Sequence, residues 1–322
     1  YWIDPTNNLY ALFMSNSVQA FFRIDERVPS CGDLKWSRDI NIVMRKSFDN
    51  GKTWADIETV VDYPLGQSAS DPSMILDKKT KTIFMFYNYM DLDNEKDIYY
   101  LRYKKSVDNG KSWSESIDIT DQISKIGWEK DFKFITSGRG IQTQDGTLLH
   151  CLVNLQKGTH VFGSNDNGNT WFITGTPTSP GDESKIIELN DGRWMVNSRV
   201  NNLGYRYSHI SDDNGKSWIS KKEESIIDPG CNGSILKYNF NNKNILLLTN
   251  INNQNERKEI VIRHSEDEGV NWSNPKVIYE GEAAYSSITQ LNNGNVGIFY
   301  EADNYTSNIF KSLSIDWIIS SE

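Results

Sequence analysis

The stretch Ser47-Phe48-Asp49-Asn50-Gly51-Lys52-Thr53-Trp54 decides the fold, because four similar copies follow it along the chain. Each copy reads Ser-x-Asp-x-Gly-x-(Thr/Ser/Asn)-Trp, and the five copies span residues 47–54, 106–113, 164–171, 211–218 and 265–272. The Asp-Asn-Gly core of the motif, Asp-Glu-Gly in the last copy, suits backbone at positive φ in a tight hairpin turn. We call this eight-residue motif the Asp box and expect its Trp to be a buried anchor for the turn.

The spacing of the Asp boxes indicates the architecture. Successive box Trp residues stand 47 to 59 residues apart, which is room for a four-stranded unit in each repeat and is typical of a β-propeller. A second series of six hairpin turns lies at residues 15–17, 77–79, 144–146, 190–192, 242–243 and 292–294. We therefore predict an all-β fold, a six-bladed β-propeller of four-stranded antiparallel sheets, in which residues 309–315 pair with the first blade to close the ring and remove exposed edges.

Length and composition narrow the possible functions. We expect all 322 residues to form a single propeller domain, 1–322. A net charge of -9 argues against nucleic acid and anionic membranes as partners, and no apolar stretch is long enough to span a bilayer. Cys31, Cys151 and Cys231 are odd in number and lack the spacing of metal ligands, so we expect unpaired or buried thiols, no metal and no cofactor.

Charged residues near the start of the chain are candidates for a binding site. Alternation along strand 20–27 places Arg23 and Arg27 on one face, which is either a solvated edge with ion pairs or a wall of the central channel. Asp33 follows in a Gly-containing loop, where it either caps a turn or is held partly desolvated. The sequence alone leaves both alternatives open.

Four further residues stand where strands begin or end. Glu183 precedes an apolar strand, Arg199 ends the next one, Arg257 precedes a third, and Tyr285 stands before a fourth. Each has an ordinary structural explanation, and a Tyr before a strand is usually there for packing. Any one of them alone is weak evidence of function.

Taken together, these features resemble the sialidase family, in particular the bacterial exo-α-sialidases of glycoside hydrolase family 33. The resemblance covers the chain from about Leu9 to Trp317. It is carried by the Asp boxes, Asp71-Pro72-Ser73, the Glu183 segment with Arg199, the Arg257 segment running into the fifth box, and Tyr285-Ser286-Ser287. Asp boxes by themselves are only moderately specific, so the ordered set of charged positions is the stronger part of the resemblance.

The resemblance implies three catalytic roles. Tyr285 matches the nucleophile, Glu183 matches the carboxylate that pairs with it, and Asp33 matches the general acid/base. A phenol suits this chemistry because a sialic acid carries a carboxylate on its anomeric carbon, which would repel an Asp or Glu nucleophile.

The resemblance also implies a set of binding residues. Arg199 and Arg257 match two members of the family's carboxylate-binding arginine triad, and Arg27 matches the arginine of an early strand. Asp71 matches an acidic residue near the substrate's amide and hydroxyl groups. Guanidinium groups suit a carboxylate because they offer two parallel donors.

The chain departs from the family at the first triad arginine. The position where that arginine is expected falls on Leu9, and Arg23 is the nearest spare cation. Loss of one charge-assisted pair, worth roughly 1.5 to 3 kcal/mol, would weaken binding without abolishing chemistry.

We therefore expect a retaining exo-α-sialidase that acts on a sialylated glycan or another nonulosonic-acid glycoconjugate. One alternative is a catalytically weak or silent lectin-like propeller that lacks the first arginine, and another is a scaffold propeller that binds proteins. A variant of the enzyme hypothesis is that Leu9, in place of the arginine, accommodates a differently substituted nonulosonic acid. Because the chain begins at Tyr1 rather than Met, we expect a mature or trimmed form whose signal segment is absent from this chain. We also expect a monomer that is secreted or displayed at the cell surface.

Overall fold

The computed structural model describes residues 8–14, 17–25, 38–240 and 243–320. This part of the chain contains 24 β-strands and two short helices, α1 (Thr120–Ile123) and α2 (Ile315–Ile319). In chain order the strands are β1 (Asn8–Met14), β2 (Val18–Asp25), β3 (Ile40–Ser47), β4 (Glu58–Val61), β5 (Gln67–Asp77), β6 (Thr82–Asp91), β7 (Tyr100–Ser106), β8 (Ile117–Asp118), β9 (Lys133–Ile135), β10 (Gly138–Arg139), β11 (Ile141–Gln142), β12 (Leu148–Asn154), β13 (Gly158–Ser164), β14 (Phe172–Ile173), β15 (Ser184–Glu188), β16 (Trp194–Ser198), β17 (Tyr205–Ser211), β18 (Ile219–Ile227), β19 (Ser234–Phe240), β20 (Lys243–Ile251), β21 (Lys258–Ser265), β22 (Lys276–Gln290), β23 (Val296–Ala302) and β24 (Ser307–Leu313).

These strands form five sheets, which are the blades of a β-propeller. The first sheet is β1-β2-β3-β4 and the fourth is β15-β16-β17-β18. The second, β10-β5-β6-β7-β8, has a fifth strand because β10 pairs with β5 in parallel. The third is β11-β12-β13-β14 with β9 also paired to β12, and the last is β19-β20-β21-β22-β23-β24. The all-β propeller is therefore confirmed, but uniform four-stranded blades are not.

The prediction of six blades was wrong, since the described residues form five. The reason lies in β22, which continues for 15 residues without a break. Its first half pairs with β21 and its second half pairs with β23, so two units that the turn count treated as separate blades share one strand. The result is a single six-stranded sheet.

The ring closes by packing rather than by strand pairing. We expected residues 309–315 to pair with the first blade, whereas β24 pairs with β23 along its whole length. Apolar side chains of the first and last sheets meet instead, and Trp54 lies with its ring centroid 5.3 Å from that of Phe310. The closing cluster contains Val18, Ala20, Val43, Leu291, Phe299 and Phe310.

The Asp boxes adopt the predicted turn. Each box begins at the last residue of the third strand of a sheet, as Ser47 does in β3, and leads toward the fourth. Asn50 has φ 61° and Gly51 has φ 85°, and the equivalent residues of the other four boxes are also at positive φ. Asp49 Oδ1 accepts hydrogen bonds from Ser47 Oγ at 2.8 Å and from Thr53 N–H at 2.9 Å, which holds the turn closed.

Each box Trp packs where two neighbouring sheets meet. Trp171, for example, belongs to the cluster between the second and third sheets and is 5% exposed. The other four box Trp residues, namely Trp54, Trp113, Trp218 and Trp272, are partly buried against the equivalent clusters. The expectation of five buried anchors is thus confirmed fully for Trp171 and only in part for the rest.

Two sequence expectations about composition can be compared with the described residues. Cys151 and Cys231 are free and buried, as predicted, whereas Cys31 lies outside the described residues. Among the helices of the described chain, neither has the length and apolar character that a membrane crossing requires.

Candidate active site

Part of the predicted site falls outside the described structure. Asp33 and Arg27 lie in the undescribed segment 26–37. Leu9 belongs to β1, opposite Phe22 of β2, and its side chain is outside the described residues, as is that of Arg23. The geometry of the site is therefore built from the remaining predicted residues.

Glu183 and Arg199 are brought together by the pairing of β15 with β16. Glu183 directly precedes β15 and Arg199 directly follows β16, so antiparallel pairing sets them side by side. The Arg199 N–H donates to the Glu183 carbonyl at 3.0 Å, and its Nη1 donates to Glu183 Oε2. Glu183 is only 4% exposed, so this carboxylate and guanidinium form a largely desolvated pair.

Tyr285 joins this pair from the middle of β22. The pairing of β22 with β23 shifts register between Ala283 and Ser286, and such an irregularity re-aims a side chain relative to the sheet. Tyr285 Oη accepts a hydrogen bond of 2.9 Å from Arg199 Nη1, and the Tyr285 N–H donates to Glu301 Oε2 at 3.1 Å. One guanidinium nitrogen of Arg199 thus holds both the phenol oxygen and the Glu183 carboxylate.

Arg257 lies over the ring of Tyr285. Its Cζ is 5.5 Å from the ring centroid, within the range of a cation–π contact. Its Nη1 donates to Tyr305 Oη at 2.6 Å and its Nη2 donates to the Gly230 carbonyl at 3.3 Å. Tyr305 ends the run 303–305, in which three non-glycine residues have positive φ, a conformation that persists only where its surroundings hold it.

Neighbouring ionisable groups stabilise the positive charges of the two arginines in the cluster. Burial alone would lower the pKa of Arg199, but attraction to Glu183, Tyr285 and Asp182 outweighs burial, and the pKa of Arg199 is raised. The pKa of Arg257 is raised in the same way, since its ionisable neighbours outweigh its burial. Asp182, whose Oδ2 is 3.8 Å from Arg199 Nε, has a raised pKa because of its burial first and the nearby Glu183 second. Both arginines are therefore fixed cations.

Asp71 is held separately in the second blade. It has φ 55°, at a point where the pairing of β5 with β6 shifts register, and its Oδ2 accepts hydrogen bonds from Ser70 Oγ at 2.8 Å and Asn88 Nδ2 at 3.1 Å. A positive φ is a strained conformation for a non-glycine residue, and such strain is often found at functional sites. A role for Asp71 at the substrate stays a prediction.

Several residues that the sequence reasoning missed complete the cluster. Asn201 accepts from Arg199 Nε at 2.9 Å and donates to Asp182 Oδ2 at 2.6 Å, so it ties the guanidinium to a second carboxylate. Asp182 and Asn201 lie within two residues of predicted positions, and that proximity was the available signal. The others stand in unrelated segments of the chain and are Asn232, Glu301 and Tyr305.

The arrangement suits two kinds of chemistry. The phenol oxygen of Tyr285 and the carboxylate of Glu183 share the Arg199 Nη1 donor, and a phenol with a carboxylate base nearby suits nucleophilic catalysis. Two neighbouring guanidinium groups suit a ligand carboxylate, which they bind through parallel N–H donors. Among the residues that the structure describes, no group of three His, Cys, Asp or Glu side chains could hold a metal ion.

Comparison with known proteins defines the class. The model of the BNR repeat-like domain matches residues 32–298 of this chain, so the fold and its repeated turns are those of a BNR-repeat propeller. Within that class, the chain belongs to the sialidase family.

Individual relatives agree with this assignment. A sialidase of Micromonospora viridifaciens is 30% identical in an alignment of 294 residues that covers 81% of this chain and 45% of that protein. A sialidase of Bacteroides fragilis (strain YCH46) is 27% identical in an alignment of 314 residues that covers 86% of this chain and 56% of that protein. The solved structure of the Hadza microbial sialidase Hz136 superposes with a TM-score of 0.87 at 26% identity, covering 98% of this chain and 66% of that one. The chain thus spans about half the length of these two relatives.

Proposed function

We propose that this chain is a retaining exo-α-sialidase, a glycoside hydrolase that releases terminal sialic acid or a related nonulosonic acid from glycans. One observation carries the proposal: Arg199 Nη1 holds both the phenol oxygen of Tyr285 and the carboxylate of Glu183, while Arg257 lies over the same phenol ring. The sialidases among its relatives support the reaction class. Glycans of this kind are displayed outside cells, which fits a secreted or surface protein.

The proposed first step forms a bond between Tyr285 and the sugar. Tyr285 Oη attacks the anomeric carbon as its proton passes to Glu183, which serves as the base. An unperturbed phenol titrates near 10, so at neutral pH it needs such a base. Asp33 is proposed to protonate the leaving oxygen at the same time, and the aglycone departs as an alcohol.

The second step restores the enzyme. Asp33 removes a proton from water, the resulting hydroxide attacks the anomeric carbon, and Tyr285 leaves and regains its proton from Glu183. Two inversions give net retention. The chemistry needs a phenol rather than a carboxylate nucleophile because the sugar's own carboxylate sits on the carbon that is attacked.

Binding of that sugar carboxylate is assigned to the arginines. In the described structure Arg257 uses two of its N–H groups, on Tyr305 and on the Gly230 carbonyl, and a guanidinium carries five. Arg199 has a second proposed task, since its charge beside Tyr285 favours the phenolate as the proton leaves. Arg27 and Asp71 are kept as substrate-binding residues on the strength of the family resemblance.

The catalytically silent alternative is not favoured. A lectin needs cations to hold the sugar acid, but it has no need of a phenol and a buried carboxylate on one guanidinium nitrogen. Two assays distinguish an active sialidase from a silent lectin: turnover of an aryl α-sialoside, and covalent labelling by a 2,3-difluoro sialic acid. A lectin would bind the sugar and do neither.

The test compares Tyr285→Phe with the unmodified chain. We expect the unmodified chain to release the aryl group with the α anomer of the sugar appearing first by NMR. Tyr285→Phe should lose at least about 100-fold in kcat, because the nucleophile is gone. A 2,3-difluoro sialic acid should label a peptide that contains Tyr285, as read by mass spectrometry.

A matched control is Tyr100→Phe. Tyr100 Oη donates to Glu95 Oε2 at 2.8 Å in the second blade, so it is a second Tyr and carboxylate pair outside the proposed site. Its kcat should equal that of the unmodified chain. Equal kcat values for Tyr285→Phe and the unmodified chain, or labelling of a peptide without Tyr285, would refute the proposed nucleophile.

A further inference from the structure

A buried lysine stands two residues after Glu183 on the same face of β15. Lys185 is 2% exposed, and alternation along the strand aligns its side chain with Glu183 and Ile187. Ile187 packs against Ile235 and Leu248 of the last sheet, which shows that this face points toward that sheet. The ammonium of Lys185 therefore lies on the same side of β15 as the proposed base, between the fourth and the last sheets.

Lys185 reaches Glu183 through an amide. Lys185 Nζ donates to Asn232 Oδ1 at 2.6 Å, and Asn232 Nδ2 donates to Ser137 Oγ at 2.9 Å and to Glu183 Oε1 at 3.2 Å. An ammonium can only donate hydrogen bonds, so it fixes the amide with its oxygen toward Lys185 and its NH₂ toward Glu183. Without that cation Asn232 Oδ1 would lose its donor, and the amide would be held only from its NH₂ side, by Ser137 and Glu183.

The same Asn232 also contacts the segment that carries the phenol. Its backbone carbonyl accepts the Ser286 N–H at 3.3 Å, and Ser286 is the residue after Tyr285. Asn232 thus touches the base with its side chain and the neighbour of the proposed nucleophile with its main chain. A displacement of Asn232 would change the relative position of Glu183 and Tyr285.

The position of Lys185 is unusual for a lysine. In the described part of the chain no carboxylate lies within 4.0 Å of its Nζ, and an ammonium buried without such a partner is unfavourable on its own. The titratable and charged groups that face it from the packed elements are Glu183, Arg199, Arg206 of β17, and His150 and Cys151 of β12.

Only one of those neighbours offers Lys185 a usable negative charge. Burial lowers the pKa of His150 to about 3 and raises the pKa of Cys151 to about 12, so both are neutral near pH 7. Arg199 and Arg206 repel the ammonium. Glu183 is therefore the anion that Lys185 supports.

We propose that Lys185 is a positioning residue which, through Asn232, holds the Glu183 carboxylate in place relative to Tyr285. The inference rests on the proposed function, since it assigns a supporting role to residues beneath that base and nucleophile. Lys185 touches neither the sugar nor the reacting atoms. Its effect falls on the rate of attack by Tyr285 rather than on binding of the sugar.

This role has a pH signature. Burial lowers the pKa of Lys185 to about 8, although Glu183 acts in the opposite direction. The ammonium is present below that pH and is lost as pH rises through about 8, so the support that it gives Glu183 disappears on the alkaline side.

The experiment measures covalent labelling by a 2,3-difluoro sialic acid in Lys185→Met of the full chain, across pH. Labelling reports the attack by Tyr285 alone, without the later hydrolysis. We expect the labelling rate of Lys185→Met to be roughly 10- to 100-fold lower than that of the unmodified chain at neutral pH, as for other small misplacements of reacting groups. The two rates should converge well above pH 8, and KM for an aryl α-sialoside should change little.

A second buried lysine provides the control. Lys133 is 1% exposed and its Nζ donates to the Trp128 carbonyl at 2.9 Å, away from the proposed site. Lys133→Met removes a buried ammonium in the same way and should leave the labelling rate and its pH profile unchanged. A loss common to both variants would mean that Lys185 matters only for packing, and the inference would fail.

A further variant tests the link if Lys185→Met does not fold. Asn232→Asp keeps the size of the side chain and gives Lys185 a direct ionic partner, but it replaces the donor to Glu183 with an acceptor. Its labelling should slow by a similar factor. Tyr285→Phe is measured in parallel: an unlabelled Tyr285→Phe together with unmodified rates in Lys185→Met or Asn232→Asp overturns this inference alone, whereas a labelled Tyr285→Phe overturns the proposed function.

Discussion

The Asp boxes and the cluster around Arg199 both rely on carboxylates, yet they are built in opposite ways. In a box the partners are close in the chain, four residues apart for Ser47 with Gly51 and for Asp49 with Thr53, and the Asp49 carboxylate is partly exposed. In the cluster the partners are distant in the chain: Arg199 and Tyr285 are 86 residues apart. The box is a local structure, whereas the cluster exists only when separate blades have come together.

This difference separates stability from chemistry. A box closes one turn and helps to seat one Trp between sheets, so damage to it should weaken folding and spare the site. The cluster brings together Glu183 and Arg199 of the fourth sheet and Tyr285 of the last sheet, so damage to it should remove activity. Variants in the two regions should therefore differ in whether they lower activity or stability.

Glu183→Gln should affect the cluster most. Gln keeps the volume of Glu183 and can still accept a hydrogen bond from Arg199, but it cannot take the proton of Tyr285. We expect kcat for an aryl α-sialoside to fall roughly 100- to 10,000-fold, the usual contribution of a positioned base. Asp49→Asn in the first box should leave kcat unchanged. Activity of Glu183→Gln within a few-fold of the unmodified chain would show that Glu183 is not the base.

Trp171→Ala should have the largest effect among the boxes. Its ring centroid lies 5.6 Å from that of Phe84 and 5.1 Å from that of Phe86, in the core between the second and third sheets. Removal of a buried aromatic side chain costs about 3 to 5 kcal/mol of unfolding free energy, measured by urea titration. The half-buried Trp113 should lose less when changed to Ala. A fall in kcat per folded molecule of Trp171→Ala would mean that the boxes and the cluster are coupled.

The same contrast explains what could be predicted from the sequence. The Asp-box turns could be predicted because all the residues that form each turn lie within eight positions. Their positive φ values follow from Asn-Gly and Glu-Gly alone. The number of blades could not be predicted from local sequence in this way. It depends on whether two successive units share a strand, and β22 pairs with β21 in its first half and with β23 in its second.

The cluster could be predicted only in part, for a physical reason. Glu183, Arg199, Arg257 and Tyr285 were picked out by resemblance and do lie together, but their partners come from segments with no motif of their own. Asn232 contacts Ser137 across 95 residues, and nothing local to either residue indicates that contact. The burial of Lys185 likewise depends on packing between sheets, and its neighbours in the sequence do not indicate it.

The smallest expected difference between the two regions is in how acid changes the free energy of unfolding. Hydrogen bonds from the Thr53 side chain and then from its backbone lower the pKa of Asp49 from 3.8 to about 2, and Ser217 does the same for Asp213. A carboxyl with a lowered pKa stabilises the fold above its ordinary pKa and loses that contribution as pH falls toward about 2. Asp182 in the cluster has the opposite sign, because burial raises its pKa and protonation favours the folded state.

The free energy of unfolding, measured by urea titration between about pH 5 and pH 2, should therefore respond differently to two matched variants. Asp49→Asn should reduce the loss of stability on acidification, since one box no longer has a carboxylate to protonate. Asp182→Asn should leave that loss undiminished, because the buried carboxyl already favours its neutral form. If Asp49→Asn and the unmodified chain lost stability in parallel, the Asp49 carboxylate would contribute no pH-dependent stability, and the predicted contrast between this Asp box and Asp182 would fail.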